Sequence, residues 1–224
     1  AAIRTVDYDR LPHSLHAYFL RPGDPTTPAI FEVDRIRDGK SFTTRRIKVI
    51  QNGKAIFNMD CSFQVGEEGL SHQMDGPNFS APDETKMAPG LKTRPFLSFR
   101  EDHKKLLVEK PQEPVQNVWI KANGTAPDDP RIHMALLAYQ SDEALLGTAR
   151  MPHRGQYDRE RMQVASLDHS IWFHSVVNVN DWLLYSLDSP TAEGARGYTR
   201  GSVYGEGGQL VASCMQEGLI RLHS

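Results

Sequence analysis

The sequence predicts an α+β protein in which an antiparallel β unit occurs twice and a helix precedes the second copy. Three observations predict this fold class. One order of sequence events occurs twice, a hairpin dipeptide lies before a run of alternating residues, and one long stretch has the apolar spacing of a helix. With 224 residues, 39% of them hydrophobic, the chain is long enough for one large domain or two small ones.

The repeated order is visible at nearly constant spacing. His13-Ser14 recurs as His169-Ser170 after 156 residues, Arg45 matches Arg200 after 155, and the turn residues Asn52-Gly53 match Gly207-Gly208 after 155. Self-similarity at a fixed offset is typical of a duplicated unit. Two unrelated β-rich stretches can also look alike, but several events in the same order favour duplication.

Asn52-Gly53 predicts a hairpin, because both central residues of a type I′ turn need a positive φ. After the turn, one set of side chains alternates with a second set, as in a half-buried strand. The first set, which we expect to face a core, is Ala55, Phe57, Met59, Cys61 and Phe63.

The second copy is preceded by a predicted strand at 115–126 and a predicted helix. Asp129 and Pro130 are typical of an N-cap and a first helical position. In the following segment, RIHMALLAYQSDEALL, apolar residues recur at three- and four-residue spacing. We expect them to form the buried face of the helix: Ile132, Ala135, Leu136, Tyr139 and Leu146.

We divide the chain into a first unit at 1–74, a linker at 75–95 and a second unit at 96–224. The linker is rich in Pro, Gly and charge. The repeat offset places the first copy's own strand and helix before residue 1. We therefore expect a first unit without its N-terminal strand and helix. Truncation by roughly 40 residues on the repeat arithmetic is favoured over degeneration, because a sheet without its helix exposes apolar surface.

Composition argues against several classes of protein. The net charge of −2 gives no basic field for nucleic acid. No apolar run reaches the roughly 18 residues of a membrane span, and the first residues have no apolar signal segment. Cys61 and Cys214 are far apart in the sequence, so we expect neither a disulfide framework nor a metal site, and we expect a cytoplasmic protein.

Two polar residues break the apolar pattern. Gln216 shares a strand face with Leu210, Ala212 and Cys214, and the repeat offset matches it to Cys61. Alternatively, it lies in solvent at a strand end. Asp142 falls on the apolar helix face, unless the helix ends near Ser141 and leaves it on a loop. A helix packed on the sheet would bring the two side chains together.

Standard catalytic motifs are absent. There is no G-x-S-x-G, H-E-x-x-H or P-loop sequence. Asp168 and His169 are adjacent and point to opposite sides of an extended chain, so they do not indicate a Ser-His-Asp triad.

Several segments together are nonetheless distinctive: LPHSLHAYFLRPGD, VWIKANGTAPDD, LDHSIWFHS and ASCMQEGLIR. They resemble the acyl-CoA thioesterase II family over about residues 3 to 222. The resemblance implies a double hot-dog fold, in which each antiparallel sheet wraps around a central helix. Two departures are the missing first strand and helix and a shorter linker.

The resemblance also implies hydrolysis of fatty acyl-CoA thioesters by an activated water. In the family an aspartate, a serine or threonine and a glutamine hold this water, and they match Asp142, Ser166 and Gln216. Ser166 is identified from the resemblance alone. The substrate is then acyl-CoA, no cofactor is needed, and a homo-oligomer is expected.

Two other functions stay open at this point. A hot-dog enoyl-CoA hydratase would need an aspartate–histidine pair on the water, and Asp142 has no evident histidine partner in the sequence. The other alternative is a catalytically silent acyl-CoA binding module. Cys61 in place of glutamine indicates that the first copy has no working site.

Overall fold

The computed structural model describes residues 1–78, 80–83, 94–100 and 108–223. They contain a short 3₁₀ turn at Ala2–Thr5, two further 3₁₀ turns at Met151–His153 and Arg159–Arg161, and two α-helices, α1 (Pro130–Ser141) and α2 (Leu145–Ala149). The strands are β1 (Arg10–Phe19), β2 (Ile30–Asp38), β3 (Phe42–Gln51), β4 (Lys54–Val65), β5 (Phe96–Phe99), β6 (Val115–Ala122), β7 (Met162–Ser166), β8 (Asp168–Phe173), β9 (Leu183–Glu193), β10 (Arg196–Tyr204) and β11 (Leu210–Leu222).

The strand order confirms the duplication. All strands belong to one eleven-stranded antiparallel sheet in the order β2-β3-β4-β1-β8-β11-β10-β9-β6-β5, with β7 paired to β11. The order β2-β3-β4-β1 is therefore mirrored by β9-β10-β11-β8. The two copies meet where β1 pairs with β8, with His16 opposite Ser170.

The β3–β4 hairpin has the predicted turn. Asn52 and Gly53 have φ values of 49° and 71°, both positive as a type I′ turn requires. On β4, Cys61 and Phe63 are buried, and Phe57 and Met59 pack against the same core. The alternation therefore holds from Phe57 to Phe63. Nearer the turn it fails, because a register shift between Val49 and Ile50 lets Ile56 rather than Ala55 pack against this core.

The register corrects how the two copies align on their last strands. Thr43 lies opposite Phe63, and Thr199 lies opposite Gln216. The two threonines are 156 residues apart, whereas Phe63 and Gln216 are 153 apart, because the first hairpin holds three more residues between these positions. The match of Gln216 to Cys61 is therefore wrong, since Phe63 occupies the place of Gln216.

Cys61 instead takes the place of Cys214. Arg45 lies opposite Cys61, and Gly201 lies opposite Cys214. The predicted match of Arg45 to Arg200 is wrong by one residue, and so by one face of the sheet: Arg45 is buried and Arg200 is exposed.

Helix α1 begins as predicted but buries a different face. The Asp129 side chain accepts a hydrogen bond from Arg131 N at 2.9 Å, and Pro130 is the first residue. Ile132, Ala135 and Tyr139 are exposed, so the predicted face is wrong at these positions, whereas Leu136 packs against the core and Leu146 is buried. The buried side chains are His133, Met134, Leu137, Gln140 and Ser141. Polar members of this face have hydrogen-bond partners outside the helix, which apolar spacing cannot detect. His133 accepts from Val179 N, and Gln140 donates to Glu143.

The helix also ends earlier than the periodic pattern suggested. It stops at Ser141, and Ala144 has a left-handed φ of 77° that separates α1 from α2. Helix α2 then packs closely on β10 and β11. A Cβ atom on Gly218 would lie 2.5 Å from a methyl carbon of Leu146, so glycine permits this approach.

The division into 1–74, 75–95 and 96–224 stays a prediction, because strands from both units belong to one sheet. Much of the predicted linker, including 84–93, lies outside the described residues. In the part of the chain that is described, no α-helix precedes Pro130, and no helix has both the length and the apolar character needed to cross a bilayer.

Candidate active site

The structure brings the three predicted site residues together. Gln216 Nε2 donates a hydrogen bond to Ser166 Oγ at 2.7 Å, and Ser166 Oγ donates to Asp142 Oδ1 at 3.1 Å. The residues come from β11, from the last position of β7 and from the end of α1. Residues separated by up to 74 positions in the chain thus form one continuous hydrogen-bonded group.

Gln216 occupies the buried position that its strand periodicity predicts. It is 2% exposed and shares its face with the buried Ala212 and Cys214. The alternative of a solvated strand end is therefore wrong. A buried amide is costly unless it is paired, and here both ends of the amide are hydrogen bonded.

Asp142 reaches the site for a different reason from the predicted one. It is exposed and caps the C-terminus of α1, rather than lying on a buried apolar face. The alternative in which the helix ends near Ser141 is the one observed. Since α1 packs over the sheet, its C-terminal end still delivers the carboxylate to Ser166, at an edge that solvent can reach.

Ser166 is placed by strand pairing. It lies opposite Gly218 on β11, and Leu167 N donates to Glu217 O at 3.0 Å, which fixes β7 against the residues that directly follow Gln216. Ser166 is half-buried. No apolar periodicity singled it out, because β7 is a short strand whose central residues are exposed.

A fourth residue, His169, extends the group, and sequence reasoning missed its role. His169 is 4% exposed; its Nδ1 lies 2.8 Å from Gln216 Oε1, and its Nε2 lies 2.8 Å from Ser141 Oγ. It points away from Asp168, as the strand alternation predicted. The signal that could have found it is a polar residue on the same strand face as the buried Ile171.

The direction of these hydrogen bonds follows from the carboxylate. Asp142 can only accept, so the Ser166 hydroxyl hydrogen points to it, and Ser166 Oγ accepts from the Gln216 amide nitrogen. Gln216 Oε1 then faces His169 and accepts from Nδ1–H. The Nε2 atom of His169 lies 2.8 Å from Ser141 Oγ, whose hydroxyl also lies 3.0 Å from Ala138 O at the end of α1.

Burial favours the neutral forms of the side chains that lie behind the Asp142 carboxylate. Burial lowers the pKa of His169, against the opposing effect of its hydrogen bond to Gln216. Burial also raises the pKa of Cys214 to about 12 and that of Tyr185 well above its ordinary value. The Tyr185 hydroxyl donates to Ser141 O at 2.8 Å, which ties the helix end to the sheet.

The arrangement suits positioning of a water next to a carboxylate. It does not form the aspartate–histidine pair of a hydratase, because Gln216 and Ser166 separate His169 from Asp142. Within the described ranges, no group of three or more His, Cys, Asp or Glu side chains is arranged to hold a metal ion.

Two family models and a curated relative that match this chain are those of acyl-CoA thioesterases. Residues 98–219 match the family model described as acyl-CoA thioesterase, and residues 1–64 match that of the acyl-CoA thioesterase N-terminal domain. The chain is 37% identical over 238 residues to acyl-CoA thioesterase 2 of Haemophilus influenzae, covering 99% of this chain and 83% of that protein.

Solved structures give the same result. The crystal structure of an acyl-CoA thioesterase II, TesB2, from Mycobacterium marinum has 44% sequence identity and a TM-score of 0.85, covering 99% of this chain and 85% of that one. A protein with a hot dog fold from Alicyclobacillus acidocaldarius, only 14% identical, has a TM-score of 0.74 over 96% of this chain and 80% of its own, and supports the fold alone.

Proposed function

Because the chain belongs to the acyl-CoA thioesterase family, we propose that it hydrolyses fatty acyl-CoA thioesters to free fatty acid and CoA at the site formed by Asp142, Ser166 and Gln216. The observation that carries this proposal is the hydrogen-bonded chain from Gln216 through Ser166 to Asp142. It places an exposed carboxylate beside two groups that can orient a water.

In the proposed mechanism, Asp142 is the general base. Ser166 engages Oδ1, so we assign Oδ2 to the attacking water. Ser166 Oγ and the second amide hydrogen of Gln216 orient that water toward the thioester carbonyl. Positioned base catalysis of this kind contributes about 10²–10⁴-fold.

Departure of the leaving group needs little further catalysis. The water oxygen bonds to the carbonyl carbon as its proton passes to Asp142, and the tetrahedral intermediate then breaks its carbon–sulfur bond. CoA leaves as a thiolate, and an unperturbed thiol has a pKa of about 8.5, so no strong general acid is required. We propose that the reaction needs no cofactor, since water and one carboxylate supply all the atoms and the proton acceptor.

An apolar cavity of about 140 Å³ supports an acyl substrate. Its lining includes Leu15, Met59, Phe63, Met134 and Ala138. Ala138 lies one helical turn before Asp142 on α1. We propose that part of the acyl chain occupies this cavity while the thioester lies at Asp142.

We further propose a homo-oligomer in the cytoplasm. Strand β2 is an edge of the sheet, and its Ile30, Phe31 and Ile36 are exposed large hydrophobic residues. Association with a second copy along this edge would pair the free backbone groups of β2 and reduce the exposure of these side chains, and light scattering on the purified protein tests it directly. Cys61 and Cys214 are both free thiols, which fits a reducing compartment.

The decisive experiment follows three reactions with the same enzyme. Release of free thiol from palmitoyl-CoA, detected with a thiol reagent, supports thioester hydrolysis. Hydration of crotonyl-CoA without thiol release would support the hydratase. Binding of palmitoyl-CoA with neither reaction would support a silent binding module and overturn the proposal.

A further inference from the structure

A second cleft in the chain has the chemistry of an anion site. It has a volume of about 370 Å³, and four arginines line it: Arg100, Arg150, Arg154 and Arg159. No Asp or Glu side chain is among the described residues that line it. The arginines come from three separate places, after β5, after α2 and before β7, so the tertiary structure brings them together.

Among the described residues, one guanidinium nitrogen of this cleft has no hydrogen-bond partner, and another donates to a neutral amide. Arg150 Nε is buried and has no hydrogen-bond partner among the described residues. Arg100 Nε donates to the neutral Gln116 at 3.2 Å, and burial lowers the pKa of the Arg100 guanidinium, with Glu143 opposing this effect. Arg159 pairs with Glu109 on the exposed side. A buried guanidinium nitrogen without a hydrogen-bond acceptor is unfavourable, so the cleft favours an anion.

The cleft leads away from the catalytic residues. Met162, Val164 and Ser166 point to one side of β7 by strand alternation, and the first two line the cleft. On the opposite wall, Ala144 follows Asp142 by two residues. Met162 lies about 13 Å along the strand from Ser166, and Arg159 lies beyond it. Arg159 thus lies more than about 13 Å from Ser166, and the side chains of β7 line the path between them.

That distance matches the arm of CoA. The chain between its thioester sulfur and its 5′-diphosphate contains roughly 13 bonds, which span about 15 Å when extended at the reach of a peptide-like chain. We propose that the cleft lined by Arg100, Arg150, Arg154 and Arg159 binds the phosphates of the CoA moiety while the thioester lies at Asp142. This inference rests on the proposed acyl-CoA substrate. Arginine forks are suited to phosphate oxygens.

The first test compares two substrates that share their acyl group. Palmitoyl-CoA carries the phosphates, and S-palmitoyl-pantetheine does not. In Arg150→Gln and Arg154→Gln we expect the ratio of kcat/KM for palmitoyl-CoA to that for palmitoyl-pantetheine to fall about tenfold or more, as loss of a charge-assisted hydrogen bond predicts. Arg150→Lys, which keeps the charge, should recover part of the ratio.

Arg46→Gln is the matched control, because it removes one exposed positive charge far from the cleft, on β3. Its ratio should equal that of the wild type. A ratio that stays within twofold of wild type in both cleft variants would overturn the proposal, as would an equal fall in Arg46→Gln.

The second test does not depend on turnover. Calorimetric titration of the intact protein with free CoA, and separately with pantetheine, measures the phosphate contribution directly. We expect Arg150→Gln to weaken CoA binding about tenfold or more, and Arg46→Gln to leave it unchanged. If the protein hydrolyses no thioester but shows this pattern, the proposed function fails and the phosphate site stands. If CoA and pantetheine bind equally, the phosphate site fails.

Discussion

The two halves of this sheet share a backbone plan but differ at the positions that could do chemistry. In the second half, Ser166 lies opposite Gly218, and Gln216 lies opposite Thr199. At the corresponding positions of the first half, Arg10 lies opposite Val65, and Phe63 lies opposite Thr43. Arg10 thus takes the place that Ser166 has in the second half, and its guanidinium donates to Thr43 Oγ1 at 3.0 Å.

The histidines show the same contrast. His13 and His169 are 156 residues apart and lie near the start of equivalent strands. His13 is half-buried, with its Nε2 atom 2.8 Å from Ser62 Oγ, whereas His169 is buried against Gln216. The comparison teaches that duplication supplied the scaffold, and that the site depends on a few side chains and the end of one helix. Substitutions at matched positions can break or sharpen this comparison.

The largest effect is expected from Asp142→Ala. Because Asp142 is exposed at the end of α1, its removal should leave folding intact and lower kcat for palmitoyl-CoA by about 10²–10⁴-fold. Steady-state kinetics together with the far-ultraviolet circular dichroism spectrum measure both properties. Asp60→Asn, which removes an exposed carboxylate on β4 of the first half, is the control and should keep kcat. Turnover within tenfold of wild type in Asp142→Ala would exclude Asp142 as the base.

Gln216→Met should have the next largest effect. It removes the amide that donates to Ser166 and leaves the His169 Nδ1–H without its acceptor. Loss of one positioned donor typically lowers kcat by about 10²–10³-fold. The matched change in the first half, Phe63→Leu, should cost about 1 kcal/mol of unfolding free energy. Because Phe63 lines the proposed acyl cavity, it should alter KM for palmitoyl-CoA rather than lower kcat. An equal loss of kcat in both variants would mean that the halves do not differ in function.

His169 tests whether the buried chain positions the glutamine. The asparagine amide of His169→Asn would keep an N–H where the Nδ1–H lies, so this variant should retain kcat within several-fold, whereas His169→Phe should lower kcat about tenfold. KM should change little in both variants, because His169 is buried and contacts Gln216 rather than solvent. His13→Phe is the matched control. If kcat falls equally in His169→Asn and His169→Phe, the hydrogen bond from His169 to Gln216 does not contribute to catalysis.

The sequence contained part of this site in a readable form. Gln216 was detectable because period-2 alternation puts it on a face with Ala212 and Cys214, and a buried amide stands out there. Asp142 is predicted for a wrong reason, because the apolar spacing extends the predicted helix past Ser141, where the helix ends. The left-handed Ala144 that ends this region is a backbone feature without a strong residue signature.

Ser166 and His169 were out of reach of periodicity for a physical reason. Their roles depend on hydrogen bonds to residues 24 to 50 positions away in the chain. The helix face is mispredicted for the same reason, because His133 and Ser141 are buried as partners of distant groups. The three-residue difference between the hairpins is likewise set by pairing, so a constant repeat offset missed the equivalence of Phe63 and Gln216.

A smaller effect is expected in the pH dependence of stability. Burial lowers the pKa of His169, so the unfolded chain binds a proton that the folded chain resists. The stability contribution is therefore complete above the unfolded value of about 6.5 and is lost as pH falls below it, by at most about 1.4 kcal/mol per pH unit. Urea unfolding at pH 7.5 and 5.5 should show a weaker pH dependence in His169→Asn than in wild type.

His13 provides the comparison between halves for this experiment. Burial lowers its pKa as well, but its ring is only half-buried. The change in pH dependence caused by His13→Asn should therefore be smaller than that caused by His169→Asn. A larger change in His13→Asn would show that the first-half histidine is the more constrained of the two.

The smallest difference between the halves is expected at the two cysteines, which occupy equivalent positions. Burial raises the pKa of both Cys61 and Cys214 to about 12. At pH 8 the thiolate fraction of each is then on the order of 10⁻⁴, so labelling by a thiol reagent should be about a thousandfold slower than for a free thiol. Labelling of the native and guanidinium-unfolded protein measures this, and two thiols should react only after unfolding. Rapid native labelling of Cys61 alone would mean that the first-half core opens independently of the half that holds the site.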